Sequence, residues 1–301
     1  MASRSGVDIK TTIYNTFKGV DFSTDPCLVD RRRSPLCTNM VADSGGMPEK
    51  RCGWRTLHKV GGGAVRGMWT ARFGEAQKSV AHIGTKLYSW DDTAAEPVQL
   101  MTGLHDGRSQ GVLLGGKLWI VTGGELLRYD GTTVTDITAS DDVYIPVTVI
   151  ARKPAGGGEP YEDINLLGRY RENRFLADGT SKVYQLDDVI DAEGDVRVWV
   201  NGVEITSGWT ADRTAGTVTF AAAPEAPAAG KEDNVRIQYP HTVSGYADRI
   251  KKCTIITAYG INATNRIVLS GNPEHPNLDW TSAVNDPTYI PDLSYSAVGL
   301  E

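Results

Sequence analysis

A nine-residue pattern written twice sets the strongest limit on what this chain can fold into. Gly84-Thr-Lys-Leu-Tyr-Ser-Trp-Asp-Asp92 aligns with Gly123-Gly-Glu-Leu-Leu-Arg-Tyr-Asp-Gly131, so glycine, leucine, an aromatic and aspartate recur at an offset of 39 residues. Short strands repeating at a period of about 40 residues match the blades of a β-propeller, where a four-stranded sheet buries its faces only by stacking on neighbours. A meander of hairpins that merely share turn chemistry is the competing reading.

The flanking sequence extends the pattern. Val65–Arg72, Lys78–Ile83 and Lys86–Trp90 read as strands, and Gln110–Leu114, Lys117–Thr122 and Leu126–Tyr129 repeat the plan. Gly84-Thr85, Gly115-Gly116, Gly123-Gly124 and Asp130-Gly131 supply the turns. Alternation within each run directs one set of side chains inward and the other outward or toward the next sheet.

Before this region, residues 1–60 are rich in breakers (Asp25-Pro26, Ser34-Pro35, Ser44-Gly45-Gly46, Met47-Pro48) and poor in periodic apolar faces. They read as an extended N-terminal arm, with Thr12–Phe17 as its one alternating strand. Residues 61–139 read as the propeller-like blades. After Thr138 the composition shifts through Lys153-Pro-Ala-Gly-Gly-Gly-Glu-Pro160, read as a flexible loop because its glycines lack the frame of a phosphate-binding loop. Lys182–Leu186, Val196–Val200, Val203–Thr206, Thr217–Phe220 and Val235–Tyr239 then alternate as strands. Asn201-Gly202 between the second and third is a strong hairpin signal. Residues 140–245 are therefore expected to form an inserted antiparallel β-sandwich with its linkers, and residues 246–301 a return to propeller-like β structure. The expected class is all-β.

Composition narrows function mainly by exclusion. The chain has 301 residues and no apolar run long enough to span a bilayer as a helix. Its net charge of −6 and pI near 5.5 offer no broad nucleic-acid surface. The start lacks an apolar stretch of signal-peptide length, which leads to an expectation of synthesis and assembly in a cytoplasm.

Candidate chemical groups are scattered. Cys27, Cys37, Cys52 and Cys253 match no zinc spacing, and His58, His82, His105, His241 and His275 stand far apart without a carboxylate at helical spacing. Asp187, Asp188 and Asp191 lack the spacing of a calcium loop and read as turn residues. Arg31-Arg-Arg33 offers a small basic patch for an acidic partner, against the simpler reading of a solvated loop. Trp69, Tyr88, Trp90, Trp119 and Tyr129 suit either a sugar-binding rim or packing between sheets. No catalytic, cofactor-binding or metal-ligating residue is expected.

Three further runs carry a family resemblance. Asn265-Arg-Ile-Val-Leu-Ser-Gly-Asn-Pro273, Pro276-Asn-Leu-Asp-Trp280 and Asn285-Asp-Pro-Thr-Tyr-Ile-Pro-Asp292 resemble virion structural proteins of tailed bacteriophages, the stabilisation or propeller-like proteins of tail and neck. Phe17-Lys-Gly-Val-Asp21, Asn39-Met40 and Gly45-Gly-Met-Pro-Glu-Lys-Arg51 resemble the opening of that family, with Cys52 standing where it has proline. Ile145–Glu159 with Val189–Tyr239 resembles its inserted sandwich. The resemblance implies a non-enzymatic virion component in the tail or head-tail connector. Its implied partners are identical copies in a ring and other tail, neck or portal proteins, with DNA nearby in the tail lumen. Without the insert, the chain has room for roughly three to four blades, fewer than propellers usually hold. A carbohydrate- or receptor-binding propeller module on a viral or cell surface is the alternative, and a propeller glycosidase or lyase lacks the carboxylate pair it needs.

Overall fold

The computed structural model describes residues 10–13, 16–42, 45–56, 58–91, 96–227, 233–261 and 263–299. The protein is nearly all β, with several antiparallel sheets and one short helix, Tyr246–Lys251. Its chain divides into two units, residues 1–59 and 60–301.

In the first unit, turns and backbone hydrogen bonds, not buried apolar side chains, make the contacts among the described residues. Asp21 accepts from the amides of Ser23 and Thr24, and the Arg32 guanidinium grips Asp30 through Nε and Nη2 at 3.1 and 2.8 Å. A two-stranded ribbon pairs Met40–Ala42 with Pro48–Lys50, every residue of it exposed. No described residue before Ala71 is buried. The strand expected over Thr12–Phe17 is not formed at residues 12, 13, 16 and 17; residues 14 and 15 lie outside the described residues.

The second unit contains three four-stranded antiparallel meanders. The first runs through Val65–Phe73, Ala76–Ile83, Lys86–Trp90 and Val98–Thr102, the second through Gln110–Leu114, Lys117–Val121, Leu126–Tyr129 and Val134–Asp136. Ile255–Tyr259, Arg266–Ser270, Leu278–Thr281 and Tyr295–Ala297 form the third. Both copies of the repeated pattern fall at one place in this plan, the turn from second to third strand and the third strand itself. The repeat is thus a repeat of sheets.

Period-two alternation explains how these sheets stack. Leu118 and Ile120, with Leu127 and Tyr129, pack against Val80 and Leu87 of the first sheet. Their neighbours Trp119, Val121 and Leu126 point the other way, into a cluster with Ile256, Ile267, Leu269 and Trp280 of the third. The middle sheet is therefore buried on both faces. Gly131, at φ 97°, closes its last turn directly under the first sheet, where an added Cβ would lie 2.7 Å from Phe73 Cβ. Phe73 also meets Tyr129 edge to face at 5.0 Å.

Between the second and third meanders lie a six-stranded sheet and a three-stranded one. The six-stranded sheet has the order Glu159–Pro160, Val147–Arg152, Tyr170–Phe175, Val235–Pro240, Arg197–Val200, Val203–Ile205. The three-stranded sheet places Thr217–Phe220 between Val183–Gln185 and Trp209–Asp212. Phe175, Val198, Ile237 and Tyr239 from one share a core with Tyr184, Val218 and Phe220 from the other. Asn201 and Gly202, at φ 50° and 79°, make the hairpin that joins Arg197–Val200 to Val203–Ile205.

Two expectations need correction here. The strands are not all antiparallel, because Val147–Arg152 and Tyr170–Phe175 pair in parallel across register shifts. Parallel neighbours need a crossover, and the connection supplies it by running out to the third meander, where Leu166 and Leu167 join the core of Trp280. The glycine run at 156–158 is a defined hairpin, since Glu159–Pro160 pairs back on Val149 and Ile150 and Arg152 Nη1 donates to the Gly157 carbonyl at 2.6 Å.

Candidate functional surfaces

The aromatics that offered a sugar-binding rim are placed by the sheets that carry them. Trp119 and Tyr129 are buried on opposite faces of the middle sheet, Tyr88 is buried, and Trp69 packs against the cluster of the first two sheets. Period-two alternation sends Trp119 and Tyr129 in opposite directions, so the five do not gather on one side.

The acidic turn at 187–191 belongs to a polar network within the insert. Asp187 accepts from Thr148 Oγ1 at 2.7 Å and from the Tyr239 hydroxyl. Burial, followed by the Asp187 charge, pushes that hydroxyl far above the usual phenol range. Asp188 pairs with the buried Arg171 at 3.1 Å and with His241 at 3.4 Å, while Asp191 caps Thr242 through its amide and hydroxyl. These carboxylates orient strands that carry polar residues on their inner face. Among the described residues, no group of three or more His, Cys, Asp or Glu side chains is arranged to hold a metal ion.

His82 is the one buried histidine. It sits on the face of the first sheet that meets the second, with Nδ1 at 3.1 Å from Ser109 Oγ and Nε2 without a hydrogen-bond partner among the described residues. Burial pushes its imidazole pKa down, partly offset by the charge of Glu125. A serine beside a histidine suggests nucleophilic chemistry, but both side chains are buried. Cys253 is likewise buried, its thiol pushed up to about 12 by desolvation, whereas Cys27 and Cys52 are exposed.

Two of the surfaces with exposed apolar side chains bear on assembly. One is the N-terminal unit, where Phe22 is 80% exposed and Trp54 79%, with Leu28 and Leu36 nearly as open. Arg31, Arg32 and Arg33 are exposed in the same stretch. The other comprises the outward faces and edges of the end sheets, with Val65, Met68 and Val98 on the first and Ile255, Tyr259 and Tyr295 on the third. Strand alternation explains the second set: Ile256 and Leu269 are turned into the stack, so Ile255 and Tyr259 are turned out of it.

A cleft of about 270 Å³ opens where the insert joins the meanders, lined by residues 138–141, 164–169, 241–243 and 246–247. The Arg169–Asp141 ion pair crosses it at 3.1 Å, and Tyr246 donates to Asp292 at 3.1 Å. A second, on the outer face of the six-stranded sheet, is lined by Arg174, Trp199, Gly202, Asp233, Asn234 and Arg236. No motif in the sequence marked it, because its members come from three strands, a turn and the segment leading into one of the strands. No family model matches the chain, and no curated protein matches it. Among the described residues no helix is long and apolar enough to cross a membrane.

Proposed function

We propose that this chain is a non-enzymatic structural subunit of a tailed-bacteriophage virion, built into the tail or head-tail connector as a ring of identical copies. The observation that carries the reading is the N-terminal unit, which shows large apolar side chains to solvent and buries none of its described residues. Such a segment gains too little from its own contacts to offset the entropy of ordering it, and a partner surface supplies the missing burial. Rings of identical subunits are the common source of such surfaces.

The three stacked meanders support a propeller-like reading, with the six- and three-stranded sheets as an inserted sandwich. Their first strands lie close together. An added Cβ on Gly111 would lie 2.9 Å from Trp69 Nε1, and Gln110 Oε1 lies 3.4 Å from the Ile256 amide. Val65, Met68 and Val98 on the first of these sheets and Ile255, Tyr259 and Tyr295 on the third are exposed apolar side chains, and a second copy is the natural cover for them. The resemblance of the motifs at 17–51 and 265–292 to phage stabilisation proteins supports a virion as the assembly, with other tail, neck or portal proteins as further partners.

Electron microscopy of intact particles, with this chain located by labelling, tests the proposal. Density for it as a symmetric ring in the tail or neck is the expected result. A purified protein that stays monomeric at the highest attainable concentration, together with particles lacking it, overturns the reading.

A further inference from the structure

We propose that the outer face of the six-stranded sheet binds an acidic sugar residue, a hexuronate, whose carboxylate is held by Arg174 and Arg236. Strand register puts Arg174, Arg236, Trp199 and Glu204 in one row across four strands, and Glu172, Gln238 and Arg197 in the next. Arg174 and Arg236 stand directly opposite each other, an arrangement that costs stability unless an anion lies between them.

The protein supplies only part of that anion. Glu172, 4% exposed, takes Arg174 Nε at 2.7 Å on one oxygen and Gln238 Nε2 at 2.8 Å on the other. Arg236 reaches it only as an ion pair at 3.5 Å, and its buried Nε has no hydrogen-bond partner among the described residues. One carboxylate thus serves two guanidinium groups, each carrying five N–H donors. Arg197 does not compete, because its Nε and Nη2 each donate to an oxygen of Glu204 at 2.8 Å. Trp199 holds Arg236 in place, with the guanidinium carbon 4.4 Å from its ring centroid.

Above this pair lies a cleft of about 410 Å³, within the range of small-molecule sites. Its far side is acidic, since Asp233 uses one oxygen to accept the Ala151 amide at 3.0 Å. That second carboxylate disfavours a bare anion and suits a ligand with its carboxylate at the arginines and its hydroxyls toward Asp233. A hexuronate has that layout. The site is independent of the assembly reading.

Titrating the full protein with glucuronate, and following the Trp199 indole N–H by NMR (assigned with Trp199→Phe), tests it. Glucose and acetate serve as the ring without the carboxylate and the carboxylate without the ring. Saturable shifts with glucuronate are expected, weaker by about tenfold or more for each control and in Arg236→Gln, as for loss of a charged hydrogen bond. Arg174→Gln, at an equally exposed position, repeats the test should Arg236→Gln unfold. Asp233→Asn is expected to weaken glucuronate and strengthen acetate. No saturable shift, equal responses to glucuronate and either control, or unchanged affinity in the arginine variants overturns the site.

Discussion

The side chain of Asn165 donates to the carbonyl oxygen of Thr288 at 2.8 Å, tying the crossover of the insert to a loop of the third meander 123 residues away. The same amide donates to Tyr144 O at 2.9 Å, and its oxygen accepts from the Leu167 and Ile290 amides, each at 3.1 Å. Asn165 is buried, so these bonds are the whole environment of its polar atoms.

Replacing Asn165 by alanine strands two buried N–H groups and two carbonyls at once. At roughly 1 kcal/mol or more for each group left unsatisfied, Asn165→Ala is expected to cost about 3 kcal/mol or more. Urea unfolding followed by tryptophan fluorescence measures it. A midpoint within error of the parent protein would mean that the crossover is not anchored there.

A sheet buried on both faces makes a sharper prediction about adjacent residues. Leu126 and Leu127 point into different cores, and both are fully buried. Leu126→Ala and Leu127→Ala should therefore each cost about 2–5 kcal/mol. In a meander with one face in water, one of the two would cost almost nothing, and that asymmetry in chemical denaturation would refute the stack.

Much of this architecture was legible because the strands of the meanders alternate over glycine-marked turns. Lys86–Trp90, Gln110–Leu114, Leu126–Tyr129 and Thr217–Phe220 stand where alternation put them. The strands that escaped notice break the rule in physical ways. Tyr170–Phe175 carries arginine and asparagine on its inner face, where the Asp187–Tyr239 network satisfies them, so no apolar period marks it. Val98–Thr102 and Tyr295–Ala297 are edge strands with little burial, and they form mainly because a partner strand offers its hydrogen bonds. The Arg174–Arg236 cleft left no local signal, since its residues meet only through register.

His82 predicts a pH dependence whose sign follows from burial. Its folded pKa lies below the ordinary value of 6.5, so the unfolded chain binds the proton more readily than the folded one. The stability contributed by the neutral, buried ring is fully present above pH 6.5 and is lost as pH falls from there toward the folded pKa. Glu125, Asp106 and Arg66 are the charges that act on it, and Ser109 its polar neighbour. The difference in unfolding free energy between the parent and His82→Gln should shrink on acidification from pH 7.5 to 5.5. A constant difference would show that His82 does not titrate between the folded and unfolded states.

The last prediction concerns residues 1–59. Because no described residue before Ala71 is buried, a chain beginning at Val60 should keep its three meanders and unfold cooperatively, with a thermal midpoint within a few degrees of the parent. Its assembly should fail, since the exposed Phe22, Leu28, Leu36 and Trp54 are the apolar surface that a neighbour would cover. Hydrogen exchange separates this from a segment that merely folds onto its own chain. Amides of residues 20–55 should exchange rapidly in the isolated protein and slowly in assembled particles. Protection already complete in the monomer would place the segment's partner within its own chain and remove its role as the clamp between subunits.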